Sequence, residues 1–89
     1  MPLNIPIRTP DQLAKVLRGY RKSMNLTQKE VGELVGLLPK TVSGLESSPE
    51  KSKLISLFKM LSALDLELEI KSKKNFGEKL KSQERLYEW

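Results

Sequence analysis

LTQKEVGELVGLLPKTVSGLE, residues 26–46, predicts two short helices joined by a tight turn. Thr27 is a good N-cap, and Glu30 three residues later completes a capping box. Gly36 stands where a helix commonly ends in a left-handed residue. Pro39 follows at the first position of a new helix, where proline is tolerated best because its missing N–H would have no partner there. The segment therefore predicts a helix, a turn and a second helix.

The outer face of the second helix is predicted to be short, polar and lightly basic. Its inward residues are Val42 and Leu45. The residues that face outward are Lys40, Thr41, Ser43 and Gly44. Lysine donates to guanine O6 and N7, hydroxyls donate or accept, and a threonine methyl contacts the thymine methyl. Such a face favours binding in the major groove of DNA. A capped helical hairpin packed in a core is the alternative.

The same segment resembles the helix-turn-helix of phage repressors, whose second helix enters the major groove N-terminus first. The matching features are the TQ opening, the EV pair, the turn glycine and the closing LE, at residues 27–28, 30–31, 36 and 45–46. The caps, the turn length and the outward polarity agree with one another, which favours DNA binding over the structural alternative.

Composition limits the class of protein. The 89 residues form one small domain with a modest core, so dimerisation is expected. The net charge is +5, and residues 1–65 hold ten Lys/Arg against six Asp/Glu, which favours a polyanionic partner. No cysteine or histidine is present, and no metal site or cofactor is predicted. No apolar run reaches the ~20 residues of a membrane span, and no signal peptide is visible. A cytoplasmic, nucleoid-associated protein is the simplest interpretation.

We divide the chain into an N-terminal arm (1–8), a helix-turn-helix domain (9–65), a dimerisation strand (66–71) and a flexible tail (72–89). The fold class is mainly α, with four to five helices in a repressor-like domain. The arm alternates apolar residues, but Pro2 and Pro6 limit it to an edge strand or an extended segment packed on the body.

Two further helices flank the helix-turn-helix. Thr9 caps the first, and its apolar stripe is Leu13, Val16, Leu17, Tyr20 and Met24. Ser52 is the expected cap of the last, and its stripe is Leu54, Leu57, Phe58, Leu61 and Leu64, broadened by Ile55 and Met60. Charges beside these stripes are usually a solvated face. The candidates for phosphate contacts are Arg18, Lys22, Lys51 and Lys53.

Residues 66–71, LELEIK, change to a period of two, with Leu66, Leu68 and Ile70 on one face. This is the pattern of a half-buried strand. Because a lone strand leaves its backbone groups unpaired, it is expected to pair with the same segment of a second copy, or with the N-terminal arm. A two-fold dimer would present two recognition helices to a palindromic operator, with half-sites roughly 34–36 Å apart or a multiple of that.

The tail is predicted to lack a core, yet it ends in RLYEW. Tyr87 and Trp89 are therefore candidate anchors for a pocket on a partner protein, since Trp is enriched in binding hot spots. An idle terminus, or a tag read by a protease, is the alternative.

Nearly the whole chain resembles the HipB-like antitoxins of HipA-type toxin–antitoxin modules. The matching features are a PxQLA opening (residues 10–14), the repressor-like core, an SxP loop, a helix with Leu54, Phe58, Lys59 and Leu61, a short L-x-L strand and a terminal Glu-Trp. The resemblance implies a dimer that binds operators upstream of its own operon. It also implies binding to a HipA-like serine/threonine kinase toxin, docking of Trp89 on that toxin and, in some modules, a third small protein.

The resemblance also implies roles for individual residues. Gln28 is expected to contact a phosphate while bracing the recognition helix, and Thr27 lies beside it. Lys40, Thr41 and Ser43 are expected to face base edges or adjacent phosphates. Pro39 and Gly44 are also candidate DNA-binding positions, but there the chain departs from the family. Pro39 has no hydrogen bond to offer, and Gly44 costs about 1 kcal/mol of helix propensity. Lys40 is thus the best candidate for base readout.

The sequence bears on three classes of function. An antitoxin and autorepressor is favoured, and a stand-alone phage-type or host repressor without a toxin partner is the alternative. An enzyme is not expected, because the chain has no His or Cys, no phosphate-binding Gly-rich loop and no carboxylate pair at metal-ligand spacing.

Overall fold

The computed structural model describes residues 4–72. It contains four α-helices and one short 3₁₀ turn: α1 (Pro10–Ser23), α2 (Gln28–Val35), α3 (Pro39–Ser47), the 3₁₀ turn (Pro49–Lys51) and α4 (Leu54–Ala63). Helix α2 packs against both α3 and α4, and α1 packs against α3 and the 3₁₀ turn. The mainly α, helix-turn-helix part of the predicted fold is confirmed.

Capping boxes begin the first two helices. Thr27 Oγ1 accepts from the backbone N–H of Glu30 at 3.1 Å, and the Glu30 carboxylate accepts from the N–H of Thr27 at 2.8 Å, as the sequence predicts. Thr9 makes the same reciprocal pair with Gln12, a partner that the sequence analysis did not identify. Helix α4 differs from the prediction, because its N-cap is Lys53 rather than Ser52 and no side chain caps it.

Left-handed residues end three of the helices. Gly36 ends α2 with a φ of 73°, as predicted. Asn25 and Asp65 have φ of 59° and 57° just beyond α1 and α4. The N–H of Leu66 then bonds back to the carbonyl of Leu61 at 2.8 Å, which is the Schellman arrangement. The chain is turned sharply at these points, so the four helices fold back on one core.

The core is a single apolar cluster drawn from all four helices. Its buried members are Leu17, Val31, Val42, Leu45, Met60, Leu61 and Leu64. Val42 and Leu45 point inward as predicted, which leaves the opposite side of α3 at the surface.

Several residues of the predicted apolar stripes lie outside this core. Met24, Leu54 and Phe58 are exposed, and the buried residues of α4 are Ser56, Met60 and Leu61. The stripe predicted for α4 is therefore confirmed at Leu57, Leu61 and Leu64 and wrong at Leu54 and Phe58. The reason is that α4 is apolar on most of its circumference, so that spacing alone does not indicate which side meets the core.

The predicted strand at residues 66–71 is not formed in the single chain. Neither the arm (residues 4–8) nor residues 66–71 has a strand assignment, so the expected intrachain pairing is also not formed within residues 4–72. Leu66 is half-buried against the core, whereas Leu68 and Ile70 are exposed. The physical reason is that a strand needs a backbone partner, and the folded part of one chain supplies none.

The predicted anchors Tyr87 and Trp89 lie outside the described residues. Within residues 4–72, every helix is too short or too polar to cross a membrane.

Candidate nucleic-acid interface

The outer face of α3 is free of the core. Lys40 is exposed, and Thr41, Ser43 and Gly44 are partly exposed. A methyl group added at Gly44 would meet nothing within 4 Å, which shows that this side of the helix is open. The four residues predicted to face DNA therefore share an accessible surface on one helix.

A buried ion pair fixes the far end of α3. Arg21 Nε donates to Glu46 Oε2 at 2.6 Å, and Arg21 Nη2 donates to Glu46 Oε1 at 2.9 Å. A third bond runs from Arg21 Nη1 to the carbonyl of Leu26 at 2.7 Å. The bidentate geometry is the strong form of an arginine–carboxylate pair. It ties α1, the loop before α2 and the last turn of α3 together.

Gln28 completes this arrangement. Its Nε2 donates to Glu46 Oε1 at 3.1 Å, so the first residue of α2 is joined to α3 through the same carboxylate. The expectation that Gln28 braces the recognition helix thus agrees with its observed hydrogen bond. The charges beside the apolar stripe of α1 are predicted to form a solvated face, and for Arg21 this prediction is wrong, because its side chain is buried. Its Nε and Nη atoms donate hydrogen bonds to the Glu46 carboxylate and to the backbone carbonyl of Leu26.

The pKa shifts follow from these contacts. Burial raises the pKa of Glu46, but hydrogen bonds from Arg21 and Gln28 and the charges of Arg21 and Arg18 outweigh it, so the net pKa is lowered. The hydrogen bond to Glu46 raises the pKa of Arg21, against the effect of burial. The pKa of Glu30 is lowered by its bonds with the backbone and hydroxyl of Thr27. Both carboxylates are therefore held in the ionised form.

An open groove lies where α2 begins. It is lined by four of the predicted DNA-binding residues, Lys22, Thr27, Gln28 and Pro39, together with Arg21, Asn25, Leu26 and Lys29. Lysine side chains and the amino end of a helix are favourable surroundings for a phosphate. Lys29 and Asn25 were missed in the sequence analysis, although the position of Lys29 in the first turn of α2 was a usable signal.

The remaining predicted phosphate contacts are placed elsewhere. Arg18 is exposed on α1 and close enough to Glu46 for its charge to act on that carboxylate. Lys51 is exposed in the 3₁₀ turn, and Lys53 is the exposed N-cap of α4. Lys53 lines a second groove with Ile7 and Leu54, apart from the one at α2. Among the described residues, no three carboxylates gather in a way that would hold a metal ion.

Comparison with known proteins identifies the family. The family model HTH_3, described as Helix-turn-helix, matches residues 11–71. The antitoxin HipB of Escherichia coli (strain K12) is 31% identical over 83 residues, which cover 93% of this chain and 93% of that protein. The chain belongs to the HipB-like helix-turn-helix family. The antitoxin HipB of Escherichia coli O6:H1 (strain CFT073) is also 31% identical, over 93% of this chain and 87% of that protein.

Solved structures of HipB agree with this assignment. A HipA–HipB–O2–O3 complex contains a chain that matches with a TM-score of 0.77 and 30% identity, covering 80% of this chain and 100% of that one. A HipB–O4 20mer complex matches with a TM-score of 0.76 and 30% identity, over the same shares of each chain. The HipB-like chain is accordingly a DNA-binding, antitoxin-type regulator and not an enzyme, as predicted.

Proposed function

We propose that this chain is a HipB-like antitoxin and transcriptional autorepressor that binds palindromic operator DNA as a homodimer. The observation that carries the proposal is the arrangement of α3. Its inner side is locked by Val42, Leu45 and the Arg21–Glu46 pair, and its outer side is free. A rigid helix with a free polar face is what base contacts in the major groove require.

Base contacts and phosphate contacts come from different parts of the surface. Lys40, Thr41 and Ser43 supply donors and acceptors toward base edges, while Lys22, Thr27, Gln28 and Lys29 surround the groove at the start of α2. Phosphate contacts orient the domain and base contacts provide specificity. Arg18, Lys51 and Lys53 extend the basic surface to α1 and the start of α4.

The homodimer is supported by apolar surface that the single chain leaves uncovered. Ile55 and Phe58 on α4, and Leu68 and Ile70 beyond it, are all exposed. Ile55 and Phe58 are three positions apart and so lie on the same side of α4, and exposed apolar residues grouped in this way commonly mark protein–protein contacts. We propose that residues 66–71 pair as strands across the two-fold axis, with Leu66, Leu68 and Ile70 on the shared face. Light scattering tests the homodimer, since the 10.2 kDa chain must then show twice its own mass in solution.

We further propose that the chain binds a HipA-like serine/threonine kinase toxin. Some related modules contain a third small protein, which would then join the same complex. Similarity over 93% of the chain to HipB, and the HipA–HipB–O2–O3 complex among its structural neighbours, support this step. Tyr87 and Trp89 are the proposed anchors. In this proposal the assembly acts on operator DNA in the cytoplasm, with no cofactor, membrane or small-molecule substrate.

Affinity capture from native lysate, followed by mass spectrometry, tests the antitoxin role. The full chain is compared with its Trp89→Ala variant, and Lys59→Ala serves as a control for a surface change in the helical body. Recovery of a HipA-like kinase by the full chain and the control, but not by Trp89→Ala, is the expected result. Retention by Trp89→Ala would move the main contact to the helical body. Recovery of DNA with no kinase from any version would leave a stand-alone repressor.

A further inference from the structure

The leading end of α3 is apolar. Leu38 is the N-cap residue and is 69% exposed, and Pro39 after it is also exposed. The side chain of Leu38 makes no capping hydrogen bond, and it is Leu37 that packs against the core cluster. Neither capping nor core packing therefore accounts for a leucine at this position.

The backbone that carries Leu38 is held firmly. Its carbonyl accepts from the N–H of Thr41 at 2.9 Å and of Val42 at 3.2 Å, and Leu37 N–H donates to Gly32 at 2.8 Å. Pro39 adds a fixed φ. Covering a side chain on such a preorganised backbone adds little cost of ordering the backbone.

We propose that Leu38 determines specificity by packing against the 5-methyl group of a thymine in the major groove. The inference rests on the proposed entry of α3 into operator DNA. A helix that enters N-terminus first brings its N-cap close to the bases, and the thymine methyl is the apolar group that base pairs display there. Lys40, two residues along, is placed to donate to guanine. The operator is thus expected to carry a thymine near a guanine in each half-site.

DNA is favoured over a protein as the partner of Leu38 because of its neighbours. Leu38 is followed directly by Pro39, which lines the groove at the start of α2, and then by Lys40, and all three residues are exposed. Lysines on this surface favour a polyanion. The exposed apolar residues of α4, Ile55 and Phe58, belong to a different helix and are assigned to the dimer.

Replacement of thymine by uracil tests the proposal, because it removes only the methyl group. The full chain first selects a duplex from a random-sequence library, and each thymine is then replaced in both half-sites. Fluorescence anisotropy measures each Kd. One thymine is expected whose replacement weakens binding about three- to tenfold, since its methyl leaves an apolar contact. For Leu38→Ala, the same replacement should change Kd by less than about twofold.

Two variants serve as controls. Leu34→Ala removes a leucine that is 63% exposed on α2, outside α3. Thr41→Ser removes the other methyl group that the sequence offers to a thymine, so it tests whether Thr41 rather than Leu38 contacts the methyl-sensitive thymine. Leu34→Ala should keep the sensitivity to uracil, and Thr41→Ser should keep it at the thymine assigned to Leu38, whatever its own effect on Kd. A thermal melt of each variant shows that it is folded, which is expected because Leu38 and Leu34 lie at the surface.

Several results would overturn the proposal. Discrimination that persists in Leu38→Ala, or that is lost in Thr41→Ser instead, would remove Leu38 as the determinant. A changed oligomeric mass of Leu38→Ala without DNA would assign this leucine to contacts between copies. If the unaltered chain selects no duplex at all, DNA binding itself fails, and the role of Leu38 fails with it. Selection of a duplex with no methyl-sensitive thymine would leave DNA binding intact and refute only the role of Leu38.

Discussion

Arg21 Nε lies 2.6 Å from Glu46 Oε2, and this contact joins the end of α1 to the last turn of α3. Both side chains are nearly buried, at 9% and 4% exposure. Leu26 and Gln28 bond to the same pair, so that the loop before α2 is held by it as well. The orientation of the proposed recognition helix therefore depends on one buried charge pair.

We expect Arg21→Ala to lower the free energy of unfolding by about 3 kcal/mol, because it leaves the Glu46 carboxylate buried without its counter-charge. Urea denaturation at neutral pH measures the change. Lys15→Ala, which alters an exposed charge on the same helix, should change stability by less than about 0.5 kcal/mol. Equal effects of the two substitutions would show that the pair does not stabilise the fold.

Acid should destabilise the chain below the ordinary glutamate pKa of 4.5, since the folded state lowers the pKa of Glu46. As the pH falls, Glu46 is protonated at a higher pH in the unfolded chain than in the folded chain. The stability that Glu46 contributes is therefore present at neutral pH and is lost as the pH falls through the folded pKa. Chemical denaturation from pH 7 to pH 3 measures this. Glu46→Gln should show a shallower pH dependence, with a remaining part from Glu30, whose pKa is also lowered. Identical slopes would contradict the assignment.

Gly32→Ala should destabilise the chain by about 1–3 kcal/mol through overpacking. An added methyl group would overlap the carbonyl oxygen of Leu37, which belongs to the turn between α2 and α3. That turn also uses the Leu37 N–H to Gly32 carbonyl bond of 2.8 Å. Gly19→Ala, inside α1 with nothing within 4 Å, is the matched control and should stabilise by about 0.5–1 kcal/mol. A stabilised Gly32→Ala variant would show that the carbonyl of Leu37 can move away from the added methyl group at little cost in free energy.

Lys40→Ala should weaken binding to the selected operator by about 1–3 kcal/mol and leave binding to unrelated DNA nearly unchanged. The reason is that Lys40 is exposed on the free face of α3, where a lysine donates to guanine. Anisotropy titrations with both duplexes measure the ratio. An equal loss on both duplexes would make Lys40 a phosphate contact.

Lys29→Ala should weaken binding to operator and to unrelated DNA alike, because Lys29 lines the groove at the start of α2, where a phosphate is expected. The slope of log K against log salt should fall by about 1 in magnitude. Lys59→Ala on α4 is the control and should leave the slope unchanged. A selective loss on the operator alone would place Lys29 against bases.

Local features of this protein could be predicted from sequence because short-range chemistry decides them. The Thr27–Glu30 capping box, the left-handed Gly36 and the first-turn Pro39 each depend on residues a few positions apart. Together they define the helix-turn-helix, and they leave Lys40 and Thr41 on the outer side of α3. The sequence by itself therefore determined the type of DNA-binding motif and most of its outward face.

Only the tertiary structure decided what holds that motif in place. Arg21 and Glu46 are 25 residues apart, and no local pattern distinguishes an arginine that will be buried from one on a solvated face. In the same way, α4 is apolar on most sides, so that packing with α2 decided that Met60 faces inward while Leu54 and Phe58 remain exposed. Residues 66–71 form no strand in one chain, because strand formation depends on a partner backbone that their own sequence does not contain.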